Sequence, residues 1–505
     1  MKNNLRRVGL LLAISIVTSV ADAAPVWQRL ETDDFTIYSD ASANDIKEFA
    51  VLYTAFRQIM GELLMPAGRK PARSTLILFK RGSSLKKYGP ISKDDDGLRL
   101  LTYTAQVDDS ALLALAVSGD RTRACNVAFE FETIFALQRA GYFLPIWMSQ
   151  GTGMIMASLE LKKGKCRVGA DIDVLSAFFL NSGEQLPWDK FFLTGKGSDD
   201  YTGKKHAGVF QAQAWALMHW VLLSKQPPRE AFAALAARIR EKSFLEAVQD
   251  MTGVKAKEFT NSIAGHLNGR TKAYECAFDE QKVRAGLRLN PASDADVHVQ
   301  LANLLAAAER FDEADVELKQ AQALTPEATC VKEAVARQAL RNQQKDEAVK
   351  LYRAAIAAGT KNPMAYLVSA GARLDEYASS RTDYAGGGGP STEIAIGEIE
   401  KALELNRSNM DAYRLLGRAF YILPQLTEER LAELTPALVT GAEGCNVRLY
   451  RALLYERLEK LKLCASDLQL ILDDPDVSQR TKYSARDRLA TIERKMKAIE
   501  RRPSE

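Results

Sequence analysis

The first regular alternation of apolar and polar positions is "DDFTIYSD", residues 33–40, and it predicts a half-buried strand. The spacing then becomes helical in "DIKEFAVLYTAFRQIMGELL", with Asn44 or Asp45 as its cap. "STLILFK", bounded by "KPAR" and "RGSS", reads as a second strand, and "GLRLLTYTAQ" as a third. Strand, helix, strand and strand predict a small sheet with at least one packed helix over residues 25–110. Residues 120–270 are mainly helical in pattern. "NVAFEFETIFALQRA" is one helix, and "PIWMSQGTGMIMASLEL" begins another with Pro145 near its start. The strongly apolar "GVFQAQAWALMHWVLLSK" follows, then "REAFAALAARIREK", "FLEAVQDMTGV" and a last helix near "KAKEFTNSIAGHLNG". "KCRVGADI" reads equally as strand or turn.

From about residue 290 alanine and leucine dominate, and the pattern repeats. Leu301, Ala302, Leu305, Ala314, Leu318 and Ala321 are matched 34 residues later by Val335, Ala336, Ala339, Ala348, Tyr352 and Ala355, and Pro326 closes the first unit. This period resembles the tetratricopeptide repeat, in which each unit is two antiparallel helices. Tyr366 opens a third unit whose second helix is "EIAIGEIEKALELN". Before that helix lies "SSRTDYAGGGGPS", whose four glycines cannot continue a helix cheaply, so a loop is expected near 380–391. "DAYRLLGRAFYIL" starts a fourth unit and the degenerate "TEERLAELTPALVTG" ends it. "CNVRLYRALLYERLEKLKLCASDLQLILDDP" makes a fifth pair. The polar "DVSQRTKYSARDRLATIERKMKAIERR" suits the capping end of a helical solenoid. Residues 290–500 therefore read as a solenoid, whose groove along the first helices ordinarily binds an extended peptide or a partner helix.

Composition agrees with a folded chain: 26% of its 505 residues are charged and 47% hydrophobic, which excludes global disorder. The first 23 residues read as a secretory signal. They hold the basic "MKNNLRR", the short apolar "VGLLLAISIVTSV" and the small residues "ADAA", with cleavage after Ala23. The apolar run falls short of the roughly 20 residues a membrane span needs, and no later window reaches that length. A soluble periplasmic or secreted protein without an integral membrane segment is expected. Lys2, Arg6 and Arg7 leave with the signal, so the formal charge of +4 drops to near +1, which gives no reason to expect nucleic acid as a partner. Export makes disulfides feasible for the six cysteines. Cys445 and Cys464, on successive helices of one hairpin, are the first candidate pair, and Cys125 and Cys166 the second.

Trp27, Thr32 and "DFTIYSD", then "LILF", "PIWMSQG" and "FQAQAWALMH" occur in an order that resembles the gluzincin-type, peptidase MA-like domains, often followed by tetratricopeptide repeats. The resemblance covers roughly half the chain. It implies a fold class of α+β peptidase-like domain over residues 25–275, followed by an all-α solenoid, with helix dominant overall. It also implies where a zinc site would lie. The first histidine of the metal helix falls on Phe129, the general-base glutamate on Glu130 and the second histidine on Thr133. The third ligand falls on Gln150, and a further glutamate of the family pattern on Met154. Phenylalanine has no lone pair to donate, threonine is a poor neutral ligand, and glutamine replaces a carboxylate with an amide. Without a metal-bound water, Glu130 has nothing to activate.

His206, His219, His266 and His298 are the only histidines, and no two have i,i+3 or i,i+4 spacing. A phosphate loop and a G-x-S-x-G elbow are both absent. The expected role is a non-catalytic exported scaffold or peptide-binding protein without cofactor or metal, holding an exported protein or peptide partner in the solenoid groove. Two alternatives stay open: a metallopeptidase with unconventional ligands, and a solenoid docking factor of an envelope assembly pathway.

Overall fold

A computed structural model describes residues 26–500 apart from short stretches, the longest being 91–101 and 380–389. The expected signal, residues 1–23, and nearly all of the glycine-rich loop near 380–391 lie outside the described residues. The strands are β1 (Gln28–Glu31), β2 (Phe35–Ser39), β3 (Ser74–Phe79), β4 (Thr102–Val107), β5 (Ser110–Ala116), β6 (Glu160–Lys162), β7 (Lys165–Val168), β8 (Tyr274–Ala277) and β9 (Leu289–Pro291). Six form one sheet in the order β4-β5-β3-β2-β1-β9, and β6-β7-β8 form a small second one. β2, β3 and β5 run parallel, while β1, β4 and β9 are antiparallel to their neighbours.

A parallel strand covered on both faces is apolar throughout, and β3 and β5 follow that rule. Leu76, Leu78, Leu113 and Leu115 face one side, where α1 (Ala43–Leu63) supplies Phe49, Tyr53 and Phe56. Ile77, Phe79, Leu112 and Ala114 face the other, covered by Leu85 of α2 (Gly82–Tyr88) and by Val297, Leu301 and Leu304. Helix α1 starts at Ser42 rather than at Asn44 or Asp45: the Ser42 hydroxyl accepts from the Asp45 N–H at 3.2 Å.

The helices after the sheet are α3 (Arg121–Arg139), α4 (Ile146–Ala157), α5 (Asp173–Asn181), α6 (Trp188–Leu193), α7 (Asp199–Thr202), α8 (Ala207–Leu223), α9 (Pro228–Arg238), α10 (Phe244–Thr252), α11 (Phe259–Leu267) and α12 (Glu280–Gly286). The C-terminal array comprises α13 (Asp294–Ala307), α14 (Phe311–Leu324), α15 (Thr329–Arg341), α16 (Lys345–Ala357), α17 (Pro363–Ser379), α18 (Pro390–Leu405), α19 (Met410–Ile422), α20 (Glu428–Ala432), α21 (Ala442–Arg457), α22 (Leu461–Asp473) and α23 (Gln479–Glu500). Sequential helices pack as neighbours, α13 on α14, α15 on α16, α17 on α18 and α21 on α22. The small and apolar residues that recur every 34 positions are buried, Val335 partly so. The chain is a helix-dominated α+β protein, and no described helix is long and apolar enough to cross a membrane.

The sheet and the array share a boundary. β9 completes the sheet edge beyond residue 275, and α13 belongs to the core of the sheet's second face. At the β4–β5 turn Asp108 takes a left-handed backbone, φ 51°, and reaches into the array. Its carboxylate accepts from Arg337 at 2.5 Å and from Asn362 at 2.8 Å, while Arg337 also donates to Asn303. Asn303 and Arg337 are 34 positions apart, on the equivalent faces of α13 and α15. Tyr103 donates to the Ala307 carbonyl at 2.7 Å, and Arg310 to the Gly89 carbonyl at 2.9 Å.

Candidate functional site

Helices α3 and α4 meet at a point that two glycines make passable. A Cβ at Gly151 would lie 2.2 Å from the Ala214 carbonyl oxygen of α8, and one at Gly153 would lie 3.0 Å from the Glu130 Cγ. The absence of both side chains lets α4 settle between α3 and α8. Gln150 then reaches Glu130, its Nε2 donating to the carboxylate Oε1 at 2.5 Å. The Tyr201 hydroxyl donates in turn to Gln150 Oε1 at 3.2 Å. Burial pushes the Glu130 carboxyl up to about 7.

Two residues on, Glu132 is buried against Arg57 at 2.9 Å, with the Ser74 hydroxyl donating to the same oxygen at 2.7 Å. Arg57 Nη2 donates to the Pro71 and Ala72 carbonyls. This buried pair ties α1, α3 and β3 together, which fixes the face that α3 presents.

That face opens on a cleft of about 1200 Å³. Glu130, Gln150 and Tyr201 supply polar groups along it, and Phe131, Phe135, Leu144, Ile146, Leu193 and Phe244 supply apolar wall. Phe131 is 50% and Leu193 84% exposed. Thr104, Ala105 and Gln106 of β4 form one rim. β4 is the terminal strand of its sheet, so one edge has no partner strand among the described residues.

The positions that the family resemblance marks for zinc do not converge. Phe129 is buried and stacks on Phe56 with ring centres 4.3 Å apart. Thr133 is buried and donates its hydroxyl back to the Phe129 carbonyl at 2.7 Å. Met154 is buried in the same core. None of these three lines the cleft, whereas Glu130 and Gln150 do. Residues turned into a hydrocarbon core, with an amide in place of the third ligand, do not fit a zinc ion. Among the described residues no group of three or more His, Cys, Asp or Glu is placed to hold a metal.

No family model matches the chain, and no curated protein matches it.

Sequence spacing gave no sign of the histidine pair. His219 is buried on α8; its Nε2 lies 2.9 Å from the Gly169 carbonyl and its Nδ1 2.9 Å from His266 Nε2 on α11. A carbonyl only accepts, so His219 carries a proton on Nε2. The pair links α8 and α11 behind the cleft. His206 lies at the start of α8, 2.9 Å from Asp200.

Cys445 and Cys464 are buried in one apolar cluster. Cys166 lies opposite Cys276, not Cys125, because β7 pairs with β8.

Proposed function

We propose that the chain is an exported, non-catalytic binding protein whose cleft takes an extended polypeptide. The observation that carries this reading is the cleft, bounded on one side by a strand edge without a partner strand among the described residues and on the other by exposed apolar side chains. A strand edge offers main-chain donors and acceptors to an added strand, and pockets beside it sort alternate side chains. Glu130, tied to Gln150 and Tyr201, gives the site a hydrogen-bonding group without a metal to polarise a scissile carbonyl. In this reading the N-terminal part is a degenerate relative of gluzincin-like peptidases. The 34-residue register of buried positions supports a tetratricopeptide-type array, and the N-terminal leader supports export. Asp108 of the same chain already engages Arg337 and Asn362 in the first helix pairs of the array.

Fluorescence anisotropy with a panel of short unstructured peptides tests the proposal. Binding is expected, unchanged by a metal chelator, and weakened about tenfold (~1.4 kcal/mol) by Phe131→Asp. Absence of binding across the panel, or binding abolished by the chelator, would overturn it.

A further inference from the structure

We infer that Cys166 and Cys276 form a disulfide that closes the part of the chain walling the cleft. The two residues are directly paired in the β7–β8 ladder, and their sulfurs lie 2.9 Å apart. Paired antiparallel residues hold their Cα atoms about 4.5–5.5 Å apart, inside the range of about 4.4–6.8 Å that a disulfide spans. Non-bonded atoms rest about 3.5–4.0 Å apart when packed, so these sulfurs are nearer than packing alone brings heavy atoms. Cys166 is fully buried; Cys276 is half-buried, beside Gln58 of α1, which donates to the neighbouring Ala277 carbonyl at 3.0 Å.

The link encloses a segment of sequence separation 110. That segment contains Phe192, Leu193, Tyr201 and Phe244 of the cleft wall and both histidines of the α8–α11 pair. β8 is where this segment returns to the body of the protein, so the bond fastens the wall at its exit. A Cys445–Cys464 bond would staple only one pair of neighbouring helices.

The oxidant is an external disulfide, either glutathione disulfide or the disulfide of a thiol-oxidising protein. One of the two sulfurs attacks as thiolate; the external S–S bond breaks and one external thiolate leaves. The other then attacks that sulfur of the mixed disulfide, and the second external thiolate leaves. Two electrons pass to the external disulfide, and the two thiol protons end on the two released thiols. The cleft reading is not needed for this step.

The test uses the full chain purified under reducing conditions and then treated with glutathione disulfide. Alkylation in denaturant and peptide mapping by mass spectrometry should recover Cys166 and Cys276 as one cross-linked pair, with the mass lower by two hydrogens. Oxidation should raise Tm by about 5–10 °C. The shift should vanish in Cys276→Ala, while Cys445→Ala keeps it. Recovery of both cysteines as separately alkylated peptides after oxidation would overturn the inference, as would a cross-link of Cys166 to Cys125.

Discussion

Glu130 carries the clearest pH signature at the residue scale. Its carboxyl is raised from the ordinary 4.5 to about 7 by burial, so the folded state holds the proton more tightly than the unfolded chain between those values. Stability contributed by this group is present below pH ~4.5 and is lost as pH rises through ~7. Glu130→Gln removes the titration and keeps the shape. Urea unfolding should find the variant equal to the parent at pH 4.5 and more stable at pH 8, by on the order of 2 kcal/mol. A variant less stable at pH 8 would contradict the burial argument. Gly151 makes a steric prediction. A methyl group there would lie 2.2 Å from the Ala214 carbonyl oxygen, which is backbone and cannot rotate aside, and 2.8 Å from Met218 Cγ. Gly151→Ala should cost about 3 kcal/mol and lower Tm. An unchanged Tm would mean that α4 and α8 do not cross as described.

Among the elements, those with strong local periodicity were legible in the sequence: β2 and β3, α1, α3, α4 with Pro145 at its start, α8, and the buried ladder of the array. β5 was not. "SALLALA" has neither alternation nor β-branched residues, and alanine and leucine are good helix formers. Its two covered faces, rather than its propensity, make it a strand. β8 and β9 are short and owe their pairing to segments more than 100 residues away, so no local signal marks them. The motif order pointed to α3 and α4, and Glu130 and Gln150 do line one cleft. Phe129 and Thr133 turn instead into the core beside α1, an orientation that a linear motif does not record. The Tyr201 contact and the His219–His266 pair arise from helix packing between distant segments and were invisible in spacing. The buried Arg57–Glu132 pair sets how α3 is turned. Removing one partner leaves a buried charge uncompensated, so Glu132→Ala should destabilise by about 3–5 kcal/mol by chemical denaturation. A loss under 1 kcal/mol would show that the pair does not hold α3.

The whole molecule does not divide where composition changes. Ile77, Phe79 and Leu112 depend on α13 for cover, and β9 closes the sheet edge. A fragment of residues 26–275 should therefore aggregate or bind a hydrophobic dye, while one of residues 26–325 should elute as a soluble species in size-exclusion chromatography. Equal behaviour of the two would make α13 dispensable. The Asp108 contacts add a polar lock between the sheet and the first helix pairs. This arrangement places the cleft and the array on one framework, so a peptide held in the first is carried with the second. The central claim is that the cleft holds peptide without cutting it. Mass spectrometry of a bound peptide after prolonged incubation with purified full-length protein tests this most directly. The account predicts the peptide intact, with or without added zinc; discrete cleavage products that disappear in Glu130→Ala would contradict it.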